Sequence, residues 1–346
     1  MKALTSSARR AIVGAIGAAA ILVATAACTS GQTADTKSTA AAAKSGQITI
    51  ALLQKQGDQQ YFVDEAAGAK AAADKDGKVT IKVVNLKTDA NLAISELDAA
   101  IAQKVDGIIV VVPDQKIGPQ VIDAAKAANI PLMAADDPIK DSTGAEAPFT
   151  GFDSVSMGAM AGKQAGELYK AAGWNAADTR ILSAYQLNLS DCVDRAKGEA
   201  DAFKTAIGSA DVPATIDIGT DNSSTNAQDK AGAVITANAG VKNWIVWGCN
   251  DDNETGVVTA LQNSGVHPDK IIGVGLGAYL TCKDWAAGLD TGNKASVFVS
   301  GVATGTTAVT AMIALLRNGT ALPAKSIAPT YEVNAKNYKD AGMTCH

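Results

Sequence analysis

Residues 108–138 read IIVVVPDQKIGPQVIDAAKAANIPLMAADDP and contain a complete strand–helix–strand pattern. An unbroken apolar run at 107–112 leads into an Ala-rich segment at 118–128, in which apolar residues recur three and four positions apart, and a second apolar run follows at 130–135. Strands that are apolar along their whole length are typical of a parallel sheet with helices on both faces. This stretch therefore predicts an α/β fold.

The same alternation of apolar runs and helical patterns extends over the chain from residue 47 onward. We predict further strands at 48–53, 79–86, 180–184, 214–218, 243–247, 271–276, 295–300 and 329–333, and further helices at 62–75, 91–104, 157–171, 191–207, 225–238, 253–264 and 303–316. A break at 149–153 separates two βαβ arrays, each long enough to be a domain. The last strands and helix are left over after the second array, which indicates that the chain crosses several times between two lobes. Such crossings form a hinge, and the cleft between the lobes is the expected ligand site.

The 346-residue chain is 47% hydrophobic and has a net charge of −5, a globular composition with room for two domains. Its acidic balance argues against a general affinity for nucleic acid. Only two histidines occur, His267 in a surface connection and the terminal His346. This nearly excludes multi-histidine metal sites and leaves one candidate base for a Ser-His-Asp triad. We therefore expect no metal site, no cofactor and no catalytic residue.

The N-terminus has the pattern of a secretory signal peptide covering residues 1–27. Lys2, Arg9 and Arg10 precede an apolar run at 11–27 that is too short and too poorly flanked to be a transmembrane helix. The run ends TAAC at 25–28, which resembles a bacterial lipobox, so Cys28 is expected to be lipidated and to become the first residue of the mature chain. The alternative is an ordinary signal peptide cut near an A-x-A site, with Cys28 incidental.

Residues 28–46 are predicted to form a lipid-anchored flexible tether, because 29–46 is rich in small and polar residues and has no periodic apolar stripe. Removing the leader takes the net charge from −5 to −8, since it holds three basic and no acidic residues. The four cysteines beyond Cys28 are Cys192, Cys249, Cys282 and Cys345. An even number outside the cytoplasm permits two disulfides, in one of three connectivities.

Polar side chains follow the ends of the predicted strands, which is where open α/β sheets bind ligands. Four such loops are 54–62 (QKQGDQQYF), 136–138 (DDP), 191–195 (DCVDR) and 248–252 (GCNDD). Their carboxylate, amide and guanidinium groups can make paired hydrogen bonds to vicinal hydroxyls, and an aromatic ring can cover the apolar face of a sugar. The alternative is that Asp, Asn and Gly only cap helices here. Of Asp136 and Asp137, we expect one to face the ligand and the other to be structural, because neighbours on a strand point to opposite faces.

Five segments carry a family resemblance: 52–62 (LLQKQGDQQYF), 108–138, 166–174 (GELYKAAGW), 241–251 (VKNWIVWGCND) and 271–275 (IIGVG). They resemble the periplasmic L-arabinose-binding protein family, within the ribose/galactose class of ABC-transporter sugar-binding proteins, which has the periplasmic binding protein type I fold. The resemblance implies two Rossmann-like lobes with parallel sheets that are joined by a three-strand hinge and close around one sugar. It places the N-terminal lobe at 47–154 plus 300–327 and the C-terminal lobe at 155–299 plus 328–346.

The resemblance also implies the residues that contact the ligand. Family contact positions fall on Lys55, Tyr61, Asp137, Arg195 and Asn250, with Tyr61 where the arabinose receptor has tryptophan. Three further positions depart from the family: Gln59 replaces a glutamate, Gly277 an asparagine and Val155 a methionine. A buried polar group left without a partner can change the preference for a hydroxyl by several kcal/mol, so the class of ligand transfers and L-arabinose itself does not. A related pentose, deoxysugar, hexose or polyol fits equally well, and both Gln59 and Gly277 stay in the predicted site.

A pattern of disulfides follows from this placement. Cys192 and Cys249 lie beside Arg195 and Asn250 in the sequence, on second-lobe loops that face the cleft. We predict that these two cysteines pair and stiffen this rim of the cleft. Cys282 is then left to pair with Cys345.

The sequence thus predicts a monomeric, extracytoplasmic solute-binding lipoprotein, anchored at Cys28 to the outer face of the cell membrane. It captures a monosaccharide or polyol by hinge closure, delivers it to an ABC permease and is not an enzyme. Two alternatives stay open: a sugar sensor for a signalling partner, and a glycosidase that uses Asp137 with Asp251 or Asp191. A DNA-binding repressor with the same lobes is disfavoured, because the signal peptide and tether occupy the place of its N-terminal helix-turn-helix.

Overall fold

The computed structural model describes residues 43–208 and 211–345, and this part of the chain folds into strands and helices in regular alternation. The strands are β1 (Ile48–Gln54), β2 (Val79–Asn85), β3 (Gly107–Val110), β4 (Leu132–Asp136), β5 (Phe149–Gly151), β6 (Thr179–Tyr185), β7 (Ala214–Gly219), β8 (Asn243–Gly248), β9 (Ile271–Gly277), β10 (Asn293–Val299), β11 (Lys325–Ile327) and β12 (Thr330–Val333). The helices are α1 (Gln60–Asp76), α2 (Ala90–Ala102), α3 (Gly118–Ala127), α4 (Ser154–Ala171), α5 (Ser190–Ile207), α6 (Ser224–Ala237), α7 (Asp251–Asn263), α8 (Thr281–Ala286) and α9 (Gly301–Asn318).

The strands form two six-stranded sheets that repeat one topology. The first sheet has the order β11-β5-β4-β3-β1-β2, and the second has the order β12-β10-β9-β8-β6-β7. All neighbours are parallel except β10 and β12, which are antiparallel. We call the first sheet with α1, α2, α3 and α9 the N-terminal lobe, and the second sheet with α4 to α8 the C-terminal lobe. The predicted α/β fold with two parallel-sheet lobes is confirmed.

The chain passes between the two sheets three times. It crosses after β5 at residues 152–153, after β10 at residue 300, and between β11 and β12 at residues 328–329. Each crossing begins at a strand near the same edge of the two sheets, since β5 and β11 are neighbours in one sheet and β10 and β12 are neighbours in the other. Three connections along one edge form the hinge, and the carboxyl ends of the parallel strands in both lobes face the cleft beside it.

The apolar strands are buried because helices cover both faces of each sheet. On β1, Leu52 packs with Ala69 of α1 and with α9, whereas the next residue, Leu53, packs with Leu97 of α2 and Val121 of α3. Successive strand residues thus reach different helix layers, which is why these strands show apolar runs rather than alternation.

Two helix pairs pack unusually closely because glycines face a neighbouring backbone. A Cβ at Gly305 of α9 would overlap the carbonyl oxygen of Glu65 on α1, and a Cβ at Gly162 of α4 would overlap the carbonyl oxygen of Glu199 on α5. Close backbone approach of this kind fixes the helices relative to each other. The close packing of α1 against α9 and of α4 against α5 therefore fixes the positions of these helices, which begin at the cleft.

Some predicted elements need correction. The expected break at 149–153 contains β5, and two short elements, α8 and β11, were not predicted. A strand of three residues carries too little periodicity to be recognised, and its pairing with β4 and β11 is what makes it a strand. The lobe boundaries at 154/155, 299/300 and 327/328 remain predictions.

The predicted leader (1–27) and the tether as far as residue 42, with the lipidation site Cys28, lie outside the described residues. Within residues 43–208 and 211–345, no helix combines the length and the hydropathy that crossing a membrane requires.

Candidate ligand-binding cleft

A cavity of about 500 Å³ lies between the lobes, at the carboxyl ends of the central strands. Its wall includes all seven residues that the sequence analysis placed in the site: Lys55, Gln59, Tyr61, Asp137, Arg195, Asn250 and Gly277. Val155, which stands where the family has a methionine, is exposed near the start of α4 and is not among the residues of this wall. Across the described part of the chain, no group of three or more His, Cys, Asp or Glu side chains could hold a metal ion.

The N-terminal lobe contributes an ion pair to the cavity. Lys55 follows β1 and its Nζ contacts Oδ2 of Asp137, which follows β4 and is completely buried. Burial raises the pKa of Asp137, but the Lys55 ammonium and a hydrogen bond with Asp191 outweigh it, so the pKa is lowered overall. Asp137 is therefore a carboxylate at neutral pH, ready to accept a hydrogen bond from a ligand hydroxyl.

Asp136 and Asp137 both line the cavity, and the expectation that one faces the ligand while the other is structural stays a prediction. Asp136 ends β4 with φ +57°, in the left-handed region, and this turn breaks the alternation of an extended strand. The Tyr61 hydroxyl donates a hydrogen bond to Asp136. Burial raises the pKa of Asp136 to about 7, against the effect of this hydrogen bond.

Tyr61 is held in place by other aromatic rings rather than standing free in the cleft. Its ring makes edge contacts with Phe152, at 6.2 Å between centroids, and with Tyr279, at 6.0 Å. Tyr279 in turn donates a hydrogen bond to the Val299 carbonyl and accepts one from the Gly301 backbone, both at 3.0 Å. The aromatic side of the cavity is thus built against the hinge crossing at residue 300.

Arg195 brings a positive charge from the C-terminal lobe. It lies on the first turns of α5, is 9% exposed, and its guanidinium carbon is 4.8 Å from the centroid of the Phe152 ring. Its Nη1 donates a hydrogen bond to the Cys249 carbonyl at 2.6 Å, while its buried Nε has no hydrogen-bond partner among the described residues. This orientation leaves donor capacity for a ligand oxygen.

Asn250 caps a helix and also lies in the wall of the cavity. Its side-chain oxygen accepts hydrogen bonds from the backbone N–H of Asn253 at 3.0 Å and from the Asn253 amide at 2.7 Å, so it caps α7. Its amide nitrogen donates to the Asn222 carbonyl at 3.0 Å. One N–H of Asn250 is left for a ligand.

Two positions that depart from the family have distinct roles in this structure. The Gln59 amide donates a hydrogen bond across the cleft to Asp252 at 3.0 Å, so it joins the two lobes directly. Gly277 has φ +123°, where an L side chain would be strained even though a Cβ would only make 3.5 Å contacts with Asp251 and Tyr279. The backbone conformation therefore favours glycine at 277.

Asp191, which lies in one of the four predicted site loops and was a candidate carboxylate of the glycosidase alternative, also lines the cavity. It begins α5 one helical turn before Arg195 and is 6% exposed, and its Oδ2 accepts a hydrogen bond from Gln115 of the opposite lobe at 3.1 Å. Burial and the negative charge of Asp137 raise the pKa of Asp191 to about 9. Its spacing of four residues from Arg195 puts both side chains on one face of α5.

Two disulfides connect the described cysteines. Cys192 bonds to Cys249, with 4.8 Å between Cα atoms, and Cys282 bonds to Cys345, with 5.7 Å. The first joins the start of α5 to the loop before α7 and is buried with Leu189. It therefore fixes the loops that carry Arg195 and Asn250 to each other.

Replacing Cys192 and Cys249 together with serine should lower the free energy of unfolding by about 2 kcal/mol and also weaken ligand binding. The matched control is the Cys282→Ser, Cys345→Ser variant, which opens a loop of similar length, 63 against 57 residues in sequence separation, away from Arg195 and Asn250. Denaturant titration and calorimetry measure the two effects. An equal loss of affinity in both variants would contradict a special role for the first disulfide.

Two lobes joined by three crossings, with charged and amide side chains of both lobes around one cavity, are the architecture of a hinged ligand-binding protein. Residues 50–320 match the model of the periplasmic binding protein domain family, and the chain belongs to this family. The family resemblance drawn from the sequence is thereby confirmed.

Individual relatives agree with this assignment. The chain is 24% identical over 287 residues to the ABC transporter L-arabinose-binding periplasmic protein of Azospirillum brasilense, covering 80% of this chain and 83% of that protein. An ABC transporter periplasmic solute-binding protein from Actinobacillus succinogenes with bound D-allose has a TM-score of 0.73 at 20% identity, covering 85% of this chain and 100% of that one. The Caulobacter myo-inositol-binding protein has a TM-score of 0.72 at 18% identity, covering 87% and 99%. The structural likenesses establish the fold.

Proposed function

We propose that this protein is an extracytoplasmic receptor that binds one monosaccharide or polyol in the cleft and delivers it to an ABC permease. In this proposal the mature chain is a monomer, tethered to the outer face of the cell membrane through lipidated Cys28. The observation that carries the proposal is the convergence, on one cavity, of the seven residues from both lobes that the sequence analysis placed in the site. Its volume of about 500 Å³ suits a small molecule.

The chemistry of the wall supports a polyhydroxylated ligand. Asp137 is an acceptor, Arg195 is a donor and Asn250 has one N–H to offer, and these groups come from opposite sides of the cleft. A ring of hydroxyls needs both donors and acceptors, and planar groups can serve two neighbouring hydroxyls at once. The related proteins named for L-arabinose, D-allose and myo-inositol bind ligands of this class.

The arrangement of carboxyl groups argues against the glycosidase alternative. Asp137 is held in an ion pair with Lys55, and Asp191 accepts a hydrogen bond from Gln115 at 3.1 Å, so both carboxyl groups of this pair are already engaged. Asp251 is engaged as well, because its carboxylate accepts hydrogen bonds from Leu280 and Thr281. We therefore propose binding without chemical conversion.

A thermal-shift panel of pentoses, hexoses, sugar alcohols and cyclitols tests this function. A ligand present at about 100 times its Kd should raise the free energy of unfolding by about 2.7 kcal/mol, which is a readily measured rise in Tm. We expect a small set of related monosaccharides or polyols to produce this shift. A panel in which no member stabilises the protein, or in which a glycoside is hydrolysed, would contradict the proposal.

A further inference from the structure

Two hydrogen bonds cross the cleft and connect side chains of opposite lobes. The Gln59 amide donates to Oδ2 of Asp252 at 3.0 Å, and the Gln115 amide donates to Oδ2 of Asp191 at 3.1 Å. In both bonds the donor is an amide of the N-terminal lobe and the acceptor is a carboxyl oxygen of the C-terminal lobe. We call these two bonds the latch.

The repeated topology of the lobes places the two bonds of the latch in equivalent positions. Gln59 follows β1 and Asp252 follows β8, whereas Gln115 follows β3 and Asp191 follows β6. Because the two sheets share one strand order, β1 corresponds to β6 and β3 to β8. The hinge lies at the edge that holds β5, β10, β11 and β12, and β4 and β9 separate it from these strands. The latch therefore braces the cleft at two points away from the hinge, where rotation of the lobes pulls the partners apart.

The side chains of the stronger bond, between Gln59 and Asp252, are arranged for this contact. Gln59 is the residue before α1, but its side chain makes no capping hydrogen bond within the described chain, so the amide is available to the other lobe. The second oxygen of Asp252 accepts a hydrogen bond from the Ser224 hydroxyl at 3.1 Å, which holds the carboxyl group from its own lobe. Burial raises the pKa of Asp252 to about 6, so it is a carboxylate at pH 8 and its hydrogen bond is charge-assisted.

We propose that Gln59 and Gln115 are positioning residues that hold the lobes together across the cleft, so that the protein is mostly closed before a sugar enters and opens slowly to release one. Both bonds join protein to protein and use no atom of a ligand, so their energy favours closure with or without sugar. The inference rests on the proposed function, because closure is the step that traps the ligand.

The latch has a kinetic signature that loss of a ligand contact does not have. A sugar enters and leaves through the open form, and removing the latch raises the open population of both the free and the bound protein. Release and entry should therefore both become faster, and the affinity should fall by a smaller factor than release rises. Loss of a ligand contact alone would speed release, lower the affinity by the same factor and leave entry unchanged.

Small-angle X-ray scattering of the full chain at pH 8, without any sugar, measures the closed-to-open ratio through the radius of gyration. Gln59→Ala should lower this ratio about 10- to 100-fold, which is the usual effect of one hydrogen bond to a charged group. Adding Gln115→Ala should open the protein further. The matched control is Gln60→Ala, the next residue of the chain, whose amide donates to Asp64 on the same helix at 2.8 Å and does not cross the cleft. It should have the wild-type radius.

The inference is overturned if the Gln59→Ala, Gln115→Ala double variant has the wild-type radius of gyration, or if Gln60→Ala opens the protein as much as Gln59→Ala does. Thermal melting verifies that each variant is folded, and these side chains lie at the cleft rather than in a lobe core. Because no sugar is used, a failed ligand panel and a failed latch are separate results.

Stopped-flow mixing with the sugar that the thermal-shift panel identifies gives the second measurement. We expect Gln59→Ala to release this sugar about 10-fold faster than the wild type or more, and also to bind it faster. An unchanged rate of entry together with an equal loss of affinity would show that Gln59 acts only as a ligand contact, which would overturn the latch.

Discussion

Replacing Asp137 with alanine should weaken sugar binding by about 30- to 1,000-fold, which corresponds to about 2–4 kcal/mol. The carboxylate is completely buried and paired with Lys55. Its removal takes away an acceptor for the ligand and leaves the partly buried Lys55 ammonium without its counter-ion. Arg195→Ala should have a loss of the same order, because the guanidinium is buried between Phe152 and the Cys249 carbonyl. Isothermal titration calorimetry with the sugar found by the thermal-shift panel measures both losses.

A matched control for Asp137→Ala is Asp290→Ala. The Asp290 side chain is 80% exposed and pairs with Lys294 on the surface, where an ion pair contributes little. The control should bind the sugar with wild-type affinity, and the circular dichroism spectra of all three variants should match the wild type. Wild-type affinity in both Asp137→Ala and Arg195→Ala would remove these residues from the site.

Replacing Gly162 with alanine should destabilise the protein by about 3 kcal/mol, at the upper end of the usual cost of overpacking. The added methyl group would overlap the backbone carbonyl of Glu199, and a backbone atom cannot move aside as a flexible side chain can. Helices α4 and α5 would have to separate. Because α5 carries Arg195 and Asp191, the ligand affinity should fall together with the stability. Denaturant unfolding followed by circular dichroism measures the loss.

The control for Gly162→Ala is the same substitution at Gly232, in the interior of α6. A Cβ at Gly232 meets no atom within 4 Å, so only the helix propensity changes. Gly232→Ala should stabilise the protein by about 0.5–1 kcal/mol. If the two variants were equally stable, the close packing of α4 on α5 would not be needed.

The fold could be predicted from its sequence because each buried strand has a helix layer on both sides. Leu52 and Leu53 face different helices, and this produces the apolar run that identifies β1. A short strand has too few residues to show such an apolar run. The strands β5 and β11 have three residues each, and they are strands because their partners extend the sheet. The close approach at Gly162 also depends on a helix that is 37 residues away in the chain, Glu199 being its contact.

The site residues that follow the end of a single strand could be predicted from the sequence. The contacts that form where the two lobes meet could not. Lys55 and Asn250 directly follow apolar runs, so the loops that hold them were identified from the sequence. The hydrogen bond from Gln115 to Asp191 and the hydrogen bond from Gln59 to Asp252 join opposite lobes. Their formation depends on the closing angle of the hinge, which local sequence does not encode. The positive φ of Asp136, which ends the alternation of β4, is likewise not encoded in the apolar run before it.

The most direct test of the central claim is calorimetric titration of the protein with the monosaccharide or polyol that stabilises it most. We predict one site per chain, a negative heat-capacity change from closure of the cleft over the ligand, and recovery of the ligand chemically unchanged. The same titration of Asp137→Ala should show binding weakened at least 30-fold, as argued above from the loss of a buried charged acceptor. A stoichiometry other than one, a converted ligand, or undiminished binding by Asp137→Ala would contradict a sugar receptor that uses this cleft.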